Sequence, residues 1–301
     1  MIIQYCSDLH IEKAKSQINP FSYVNPFGNI LILAGDIGSF YNLKQLKDFL
    51  VPLCKKFNLV LYVPGNHEYY WFRQKHRKDI EFLYNNVLDF ENQIPNLVFL
   101  HRKTVKIGDL CISGATLWTH CDLKVLPRYV QIHKLDKHQY NKMNADDFEY
   151  LVKADEHCAK NDLYHIIVTH HCPLPSSNSA DKYGCLYYSN VDFSRIKKAK
   201  HWIHGHTHFN SEVKINGMRV LCNQFMESKK HRGSTGLKPD LYRPSRFIVS
   251  PSTLKKNENS KTPPGLIKHE SNRLFCHQQR PPNMGFPGGT YRGEESDAYL
   301  Q

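Results

Sequence analysis

Apolar and polar positions along the chain alternate between two habits. Short, near-continuous apolar runs occur at Ile2 to Cys6, Ile30 to Ala34, Leu59 to Val63, Leu97 to Leu100, Leu110 to Ser113, Ile166 to Thr169, His201 to His204, Val213 to Ile215 and Met218 to Cys222. Runs of this length, rich in branched side chains, predict strands covered on both faces. Between them lie stretches of helical period. Leu43, Leu46, Phe49, Leu50, Leu53 and Phe57 share one face behind a capping Asn42, with Pro52 expected to kink or restart the helix. A second helix is predicted from about Tyr69 to Phe90. A third has Asn144 as cap and Phe148, Leu151, Val152 and Cys158 turned inward. Strands alternating with helices, closed by a hairpin with Asn216-Gly217 at its turn, predict a layered α/β domain.

The pattern ends near residue 226. Residues 227 to 301 hold Pro263-Pro264-Gly265, Pro281-Pro282 and Gly288-Gly289 and show no apolar period. We therefore divide the chain into a domain at 1–226 and a basic, Pro/Gly-rich tail at 227–301, expected to be disordered apart from a short strand at Arg246 to Val249. Charge sharpens that division: the domain has 27 Lys and Arg against 21 Asp and Glu, the tail 13 against 7, so a quarter of the chain carries half of the +12 excess. Basic surface favours anionic partners, and a nucleic acid is the candidate partner for the tail. No run approaches the roughly 18 apolar residues of a membrane span. The start, Met1 to Tyr5, reads as a strand and not as a signal peptide. The nine cysteines form no Cys-x-x-Cys pair and sit in apolar runs, as reduced thiols do. A cytoplasmic location is expected, with the nucleus also open to it.

Five strings carry the candidate chemistry, each just past an apolar run: Asp8-Leu9-His10, Gly35-Asp36, Gly65-Asn66-His67-Glu68, Thr169-His170-His171 and Gly205-His206-Thr207-His208. In an open α/β sheet the strand ends are where ligands bind, and carboxylate, amide and imidazole donors there suit Mn, Fe or Zn. Asp8 and His10, one residue apart, would face one side of an extended chain. Each string alone has a bland alternative. Asp36 and Asn66 are good helix caps, His67 and Glu68 would lie solvated in a first helical turn, and a lone histidine at a strand end is more often a hydrogen-bonded core residue. Their co-occurrence in one order argues against five coincidences.

That order resembles the calcineurin-like metallophosphoesterase superfamily over residues 1 to 224. The small branch with Gly-Asp-Ile-Gly, Gly-Asn-His-Glu-Tyr-Tyr and Gly-Ala-Thr-Leu-Trp is the nearest likeness. Asp36 is followed by Ile37-Gly38-Ser39-Phe40 and not by a motif ending in Asp-Arg-Gly, which argues against the protein serine/threonine phosphatases. The resemblance implies a four-layer α/β/β/α sandwich holding two divalent transition-metal ions. Asp8, His10 and His208 would bind one ion, Asn66, His170 and His206 the other, and Asp36 would bridge. A hydroxide bridging the pair would attack a phosphomonoester or phosphodiester, with His67 as catalytic acid. Two alternatives stand beside this: a phosphodiesterase or binder directed at nucleic acid by the tail, and a metal-free scaffold on the same fold. For substrate contacts the candidates are Tyr69, His120, Arg128 and His171, with Tyr70 and Trp118 as further stacking faces and Arg102 as a further cation for phosphate. Core packing is the competing role for the aromatics, and solvated surface for the arginines.

Overall fold

A computed structural model describes residues 1–14, 18–72, 74–175, 184–225 and 242–250. Its two sheets stack face to face. The first has the order β11-β1-β2-β3-β4, where β1 is Ile2–Cys6, β2 Ile30–Ala34, β3 Leu59–Val63, β4 Leu97–Phe99 and β11 Phe247–Val249. The second runs β5-β6-β7-β8-β10-β9, with β5 Lys103–Ile107, β6 Leu110–Ala115, β7 Tyr164–Thr169, β8 His201–His204, β9 Glu212–Ile215 and β10 Met218–Cys222. Alternation along the strands supplies the layers. Ile3, Ile30, Ile32, Leu61, Ile112, Ile166, Ile203 and Leu221 meet between the sheets. Their alternates face outward and are covered by helices, which is why the strands read as continuously apolar. Leu31, Leu33, Val60 and Tyr62 pack with α1 (Leu43–Cys54) and α2 (Ile80–Glu91), and Ile167, Trp202 and Val220 pack with α3 (Lys137–Lys160). The result is the four-layer sandwich.

Differences from the predicted elements have local causes. Asn42 caps α1 as expected, and Pro52 lies in its last turn without breaking it. The second helix begins at Ile80 behind Asp79, whose side chain accepts from the Phe82 amide; the aromatic run at 69–72 instead follows a single 3-10 turn, His67–Tyr69. Asp136, not Asn144, caps α3, in a reciprocal capping box with Gln139. Asn144 lies inside the helix and donates its amide to the Trp118 carbonyl. Strand β5 escapes the apolar pattern because Lys-Thr-Val-Lys-Ile sits half-buried at a sheet edge, where apolar continuity is not required.

Past residue 226, the described segment 242–250 returns to the sandwich. Strand β11 pairs antiparallel with β1, burying Ile248, and Met1 and Ser250 exchange two further hydrogen bonds. The expected strand at Arg246 to Val249 is thus present, residues 242–245 are ordered beside it against the expectation of disorder, and residues 227–241 and 251–301 of the tail lie outside the described residues. No helix among the described residues is long and apolar enough to cross a membrane. The in-register parallel pairs β1-β2-β3 and β6-β7-β8-β10 end on one edge of the sandwich, and all five strings leave from that edge.

Candidate metal centre

The loops leaving that edge turn sharply. Asp8, His10, Asp36, His206 and His208 all have positive φ, between 49° and 72°, a region that Asp and His enter more readily than most side chains but still at a cost. Asp8 and His10 therefore meet because the backbone coils after β1, and not by the alternation of an extended chain. Glycines make the crowding tolerable. A Cβ at Gly35 would collide with the His170 ring, and one at Gly65 with the Asp36 carboxylate.

Two groups of donor atoms result. Asp8, His10, Asp36 and His208 each place one atom within 4.8 Å of the others, and Asp36, His170 and His206 do the same, so Asp36 is common to both. Asn66 Oδ1 joins the second group, 3.0 Å from His170 Nε2. The hydrogen bonds around these imidazoles fix which nitrogen is left over. His10 Nδ1 donates to Glu12 Oε1 at 2.9 Å, His170 Nδ1 to the Ala34 carbonyl at 2.9 Å, and His206 Nε2 to the Leu186 carbonyl at 3.0 Å. Those acceptors cannot donate, so each ring carries a proton on that outer nitrogen and turns its other nitrogen inward, where a metal ion could replace a proton. There His10 Nε2 lies 3.2 Å from His208 Nε2, and His170 Nε2 lies 3.1 Å from His206 Nδ1. Nitrogen faces nitrogen in a buried space that also holds two carboxylates. Such a set is balanced only by added positive charge, from protons or from metal ions.

The electrostatics agree. Burial raises the Asp36 carboxyl, yet His170, His67 and His10 together hold it well below the usual carboxylate value. Asp8 is likewise raised by burial and lowered overall by His208 and His170. In return, Asp36 and Asp8 overcome the burial of His170 and push it up to about 9. His206, desolvated and beside His171 and His170, is driven well below its ordinary value and stays a neutral donor. The donor chemistry fits divalent transition ions: among the described residues both groups offer nitrogen and oxygen and no cysteine.

A model of the calcineurin-like phosphoesterase family matches residues 1–210. The chain belongs to that family. An uncharacterized protein of Acanthamoeba polyphaga mimivirus is 28% identical over 258 residues, 74% of this chain and 90% of its own length. Phosphopantetheinyl hydrolase of Mycobacterium tuberculosis shares the fold with a TM-score of 0.59 at 16% identity, over 86% of this chain and 98% of that one. A dimetal phosphatase of Danio rerio does so with a TM-score of 0.51 at 12% identity, over 80% and 92%. The protein is a metal-dependent phosphoesterase, and the metal-free scaffold is set aside.

His67 stands beside the centre of this phosphoesterase. Its backbone amide donates to Asp36 Oδ1, its ring stacks on Tyr70, its Nδ1 lies 3.4 Å from Glu12 Oε1 and its Nε2 4.0 Å from Asp36 Oδ2. The remaining candidates divide. Tyr69 is 1% exposed and packs against Phe40 and Trp118, so it is a core residue and not a substrate contact. Tyr70 and Trp118 are buried too. His171 is also buried, its ring centroid 4.1 Å from that of His206; it braces that side chain and is desolvated down to about 3. His120 is exposed beside Asp122, and Arg128 is exposed on the loop before α3. Arg102 turns to Asp146 and Asp147.

Three residues that build the centre do not stand out in the sequence. Glu12 is the acceptor for His10 and neighbours His67. Glu68, expected to be solvated, is fully buried and accepts the amides of Asp36, Ile37 and Gly65 and the Tyr62 hydroxyl, tying two loops together; burial and the Asp36 charge push it up to about 8. Gln224 accepts the His208 amide and donates to Thr207, fixing the last loop. Glu12, two residues past His10, carries the one visible signal, an acid continuing the Asp-x-His spacing.

Proposed function

We propose that Asp8, His10 and His208 hold one divalent ion, that Asn66, His170 and His206 hold a second, and that Asp36 bridges them, in an enzyme hydrolysing a phosphomonoester or phosphodiester. The observation that carries this reading is the inward-facing second nitrogen of His10, His170 and His206, each ring fixed by an acceptor on its other nitrogen. Bound ions, Mn, Fe or Zn, would polarise the phosphoryl group, offset its charge and lower the pKa of water.

The chain's own residues do the rest. With His67 as imidazolium, Nδ1 faces the Glu12 carboxylate at 3.4 Å and Nε2, on the Asp36 side, carries the proton that passes to the leaving oxygen. Burial of Glu12 raises its carboxyl, but hydrogen bonds to His10 and His67 lower it overall, so it stays charged for this task. Tyr70, stacked on His67, keeps the ring from rotating away. The test is elemental analysis of reconstituted protein together with turnover of aryl phosphomonoesters and phosphodiesters. Two ions per chain and turnover are expected, and His67→Ala should keep the ions while losing rate most on poor leaving groups. Folded protein that takes up no metal ends the reading.

A further inference from the structure

Two segments border the mouth of the centre: residues 70–72 and 74–78, which follow the acid, and residues 122–137, which lead into α3. They are joined where the Trp71 amide donates to the Gln131 carbonyl at 2.9 Å. Each is held from beneath by apolar anchors. Phe72 packs on His67, and Leu123, Leu126, Val130 and Leu135 pack on the core beside α1 and α2. The Tyr41 hydroxyl fixes the far end of the first segment through both backbone groups of Lys78. Between these anchors the exposed charged side chains are mostly basic, Lys75, Arg77, Lys78, Lys124, Arg128 and Lys134 against Asp122 and Asp136, with Val125 also exposed.

What separates this rim from ordinary solvated charge is its aromatic surface, since exposed lysines without an ion pair also occur elsewhere, as at Lys55, Lys56, Lys106 and Lys214. Among the described residues none of the six rim cations forms an ion pair; the nearby Asp79 and Asp136 cap helices and Asp122 lies beside His120. Aromatic surface is interleaved with the charge. Arg77 lies 4.0 Å over the Trp71 ring, Tyr129 is 44% exposed, and Tyr187, 37% exposed, leans over His206 at 5.4 Å between centroids. Cations for a phosphate backbone beside flat faces for unpaired bases are the chemistry of single-strand recognition.

We infer that this rim binds single-stranded nucleic acid and delivers its phosphodiester bonds to the metal centre, an inference that rests on the proposed hydrolytic reading. It places the anionic partner at the rim and not in the tail. Phe72 holds the strained φ of 40° next to the acid, which keeps its ring on His67 where the leaving nucleoside would emerge.

The experiment uses the full-length, metal-loaded protein and a fluorescent, hydrolysis-resistant phosphorothioate oligothymidylate, read by anisotropy against salt. Tight, salt-steep binding is expected. Lys75→Glu with Lys134→Glu should weaken it at least tenfold and flatten the log-log salt slope by about 0.7 for each phosphate that is no longer neutralised. Tyr129→Ala, which removes a stacking face, should weaken binding while leaving the slope unchanged. In parallel, the ratio of kcat/KM for an unmodified oligonucleotide to that for bis(p-nitrophenyl) phosphate should fall in the charge-reversed variant. Binding that survives both sets of substitutions, or that a chain ending at Ser250 loses, overturns the inference. So does equal affinity for duplex DNA or for phosphatidylserine vesicles. Hydrolysis of the small ester without oligonucleotide binding removes the rim alone, whereas oligonucleotide binding without hydrolysis of any ester removes the catalytic reading.

Discussion

Two buried histidine clusters in this chain have opposite hydrogen-bond logic. His165, on β7, donates or accepts at both nitrogens: Nδ1 meets Asp155 Oδ1 at 2.8 Å and Nε2 meets Ser113 Oγ at 2.9 Å, and the chain continues through Thr104 to the Tyr150 hydroxyl. Asp155 also accepts the amides of Lys197, Lys198 and Ala199. Asp, His and Ser in this order look like a nucleophilic triad, but Ser113 is fully buried in β6 and no substrate reaches it. The network is satisfied and structural. At the strand-end cluster, by contrast, His10, His170 and His206 are each held by an acceptor on one nitrogen while the other nitrogens converge. Burial and residue type are the same in both places, so convergence, and not the presence of acids and imidazoles, marks the functional site.

The widest separation is expected from a pair of substitutions. Asp36→Asn removes the shared carboxylate and should cost metal uptake and, at several kcal/mol of lost charge stabilisation, about a thousandfold or more in turnover. The melting point of the metal-free protein should barely move, because the change also relieves buried charge. Asp155→Ala should do the reverse. It leaves three amides and His165 without their acceptor, at a cost of about 3–5 kcal/mol, with metal content per folded molecule unchanged. Calorimetry and elemental analysis on the same samples decide it. If Asp36→Asn melts the metal-free fold as severely as Asp155→Ala does, the strand-end cluster is structural as well and the contrast collapses.

The sequence disclosed the two clusters unequally, for physical reasons. Strand ends are legible because apolar runs stop abruptly where donors begin, and this located Asp8, Asp36, Asn66, His170 and His206. Partners that come from distant sequence are not. The Leu186 carbonyl that fixes His206 carries no side-chain signal, and Gln224 reaches the last loop through a backbone bridge with Ser7. Helix starts failed where two candidate caps competed. Asn144 reads well as a cap, but Asp136 with Gln139, earlier in the chain, completes a box and adds turns that bury Tyr140. The aromatic run after His67 resembles a helix face by period alone; its rings divide between the core, the acid and the rim.

A smaller and more diagnostic effect is expected at Glu12, whose carboxylate touches one histidine of each kind, a proposed ligand and the proposed acid. Glu12→Gln keeps the shape and removes the charge, so turnover should fall by about tenfold to a hundredfold, or about 1.4–2.7 kcal/mol. If Glu12 positions His67, the loss is in kcat, grows with leaving-group pKa and leaves the metal stoichiometry intact, and Glu12→Asp recovers part of it. Loss of the ion held by His10, with equal rate losses on good and poor leaving groups, would assign Glu12 to the metal side alone.

The least effect is expected at Asp147, a buried acid of α3 that belongs to neither cluster. Its Oδ2 accepts the Leu117 amide while Oδ1 has only the Arg102 guanidinium at 3.4 Å, and burial pushes it up from 3.8 to about 6 against the pull of Arg102. A carboxyl whose folded value is raised favours the fold in its protonated form. That contribution is complete below pH 3.8 and is lost as pH rises through about 6. Asp147→Asn keeps an acceptor for Leu117 and cannot ionise, so the fall in melting point between pH 4 and pH 7 should become shallower. The two-unit shift caps the gain at neutral pH at about 3 kcal/mol, and the lost Arg102 pair reduces it to about 1. Metal content should not change. An unchanged pH profile would mean that Arg102 already keeps Asp147 ionised in the fold, and that partial satisfaction away from the centre carries no titration cost.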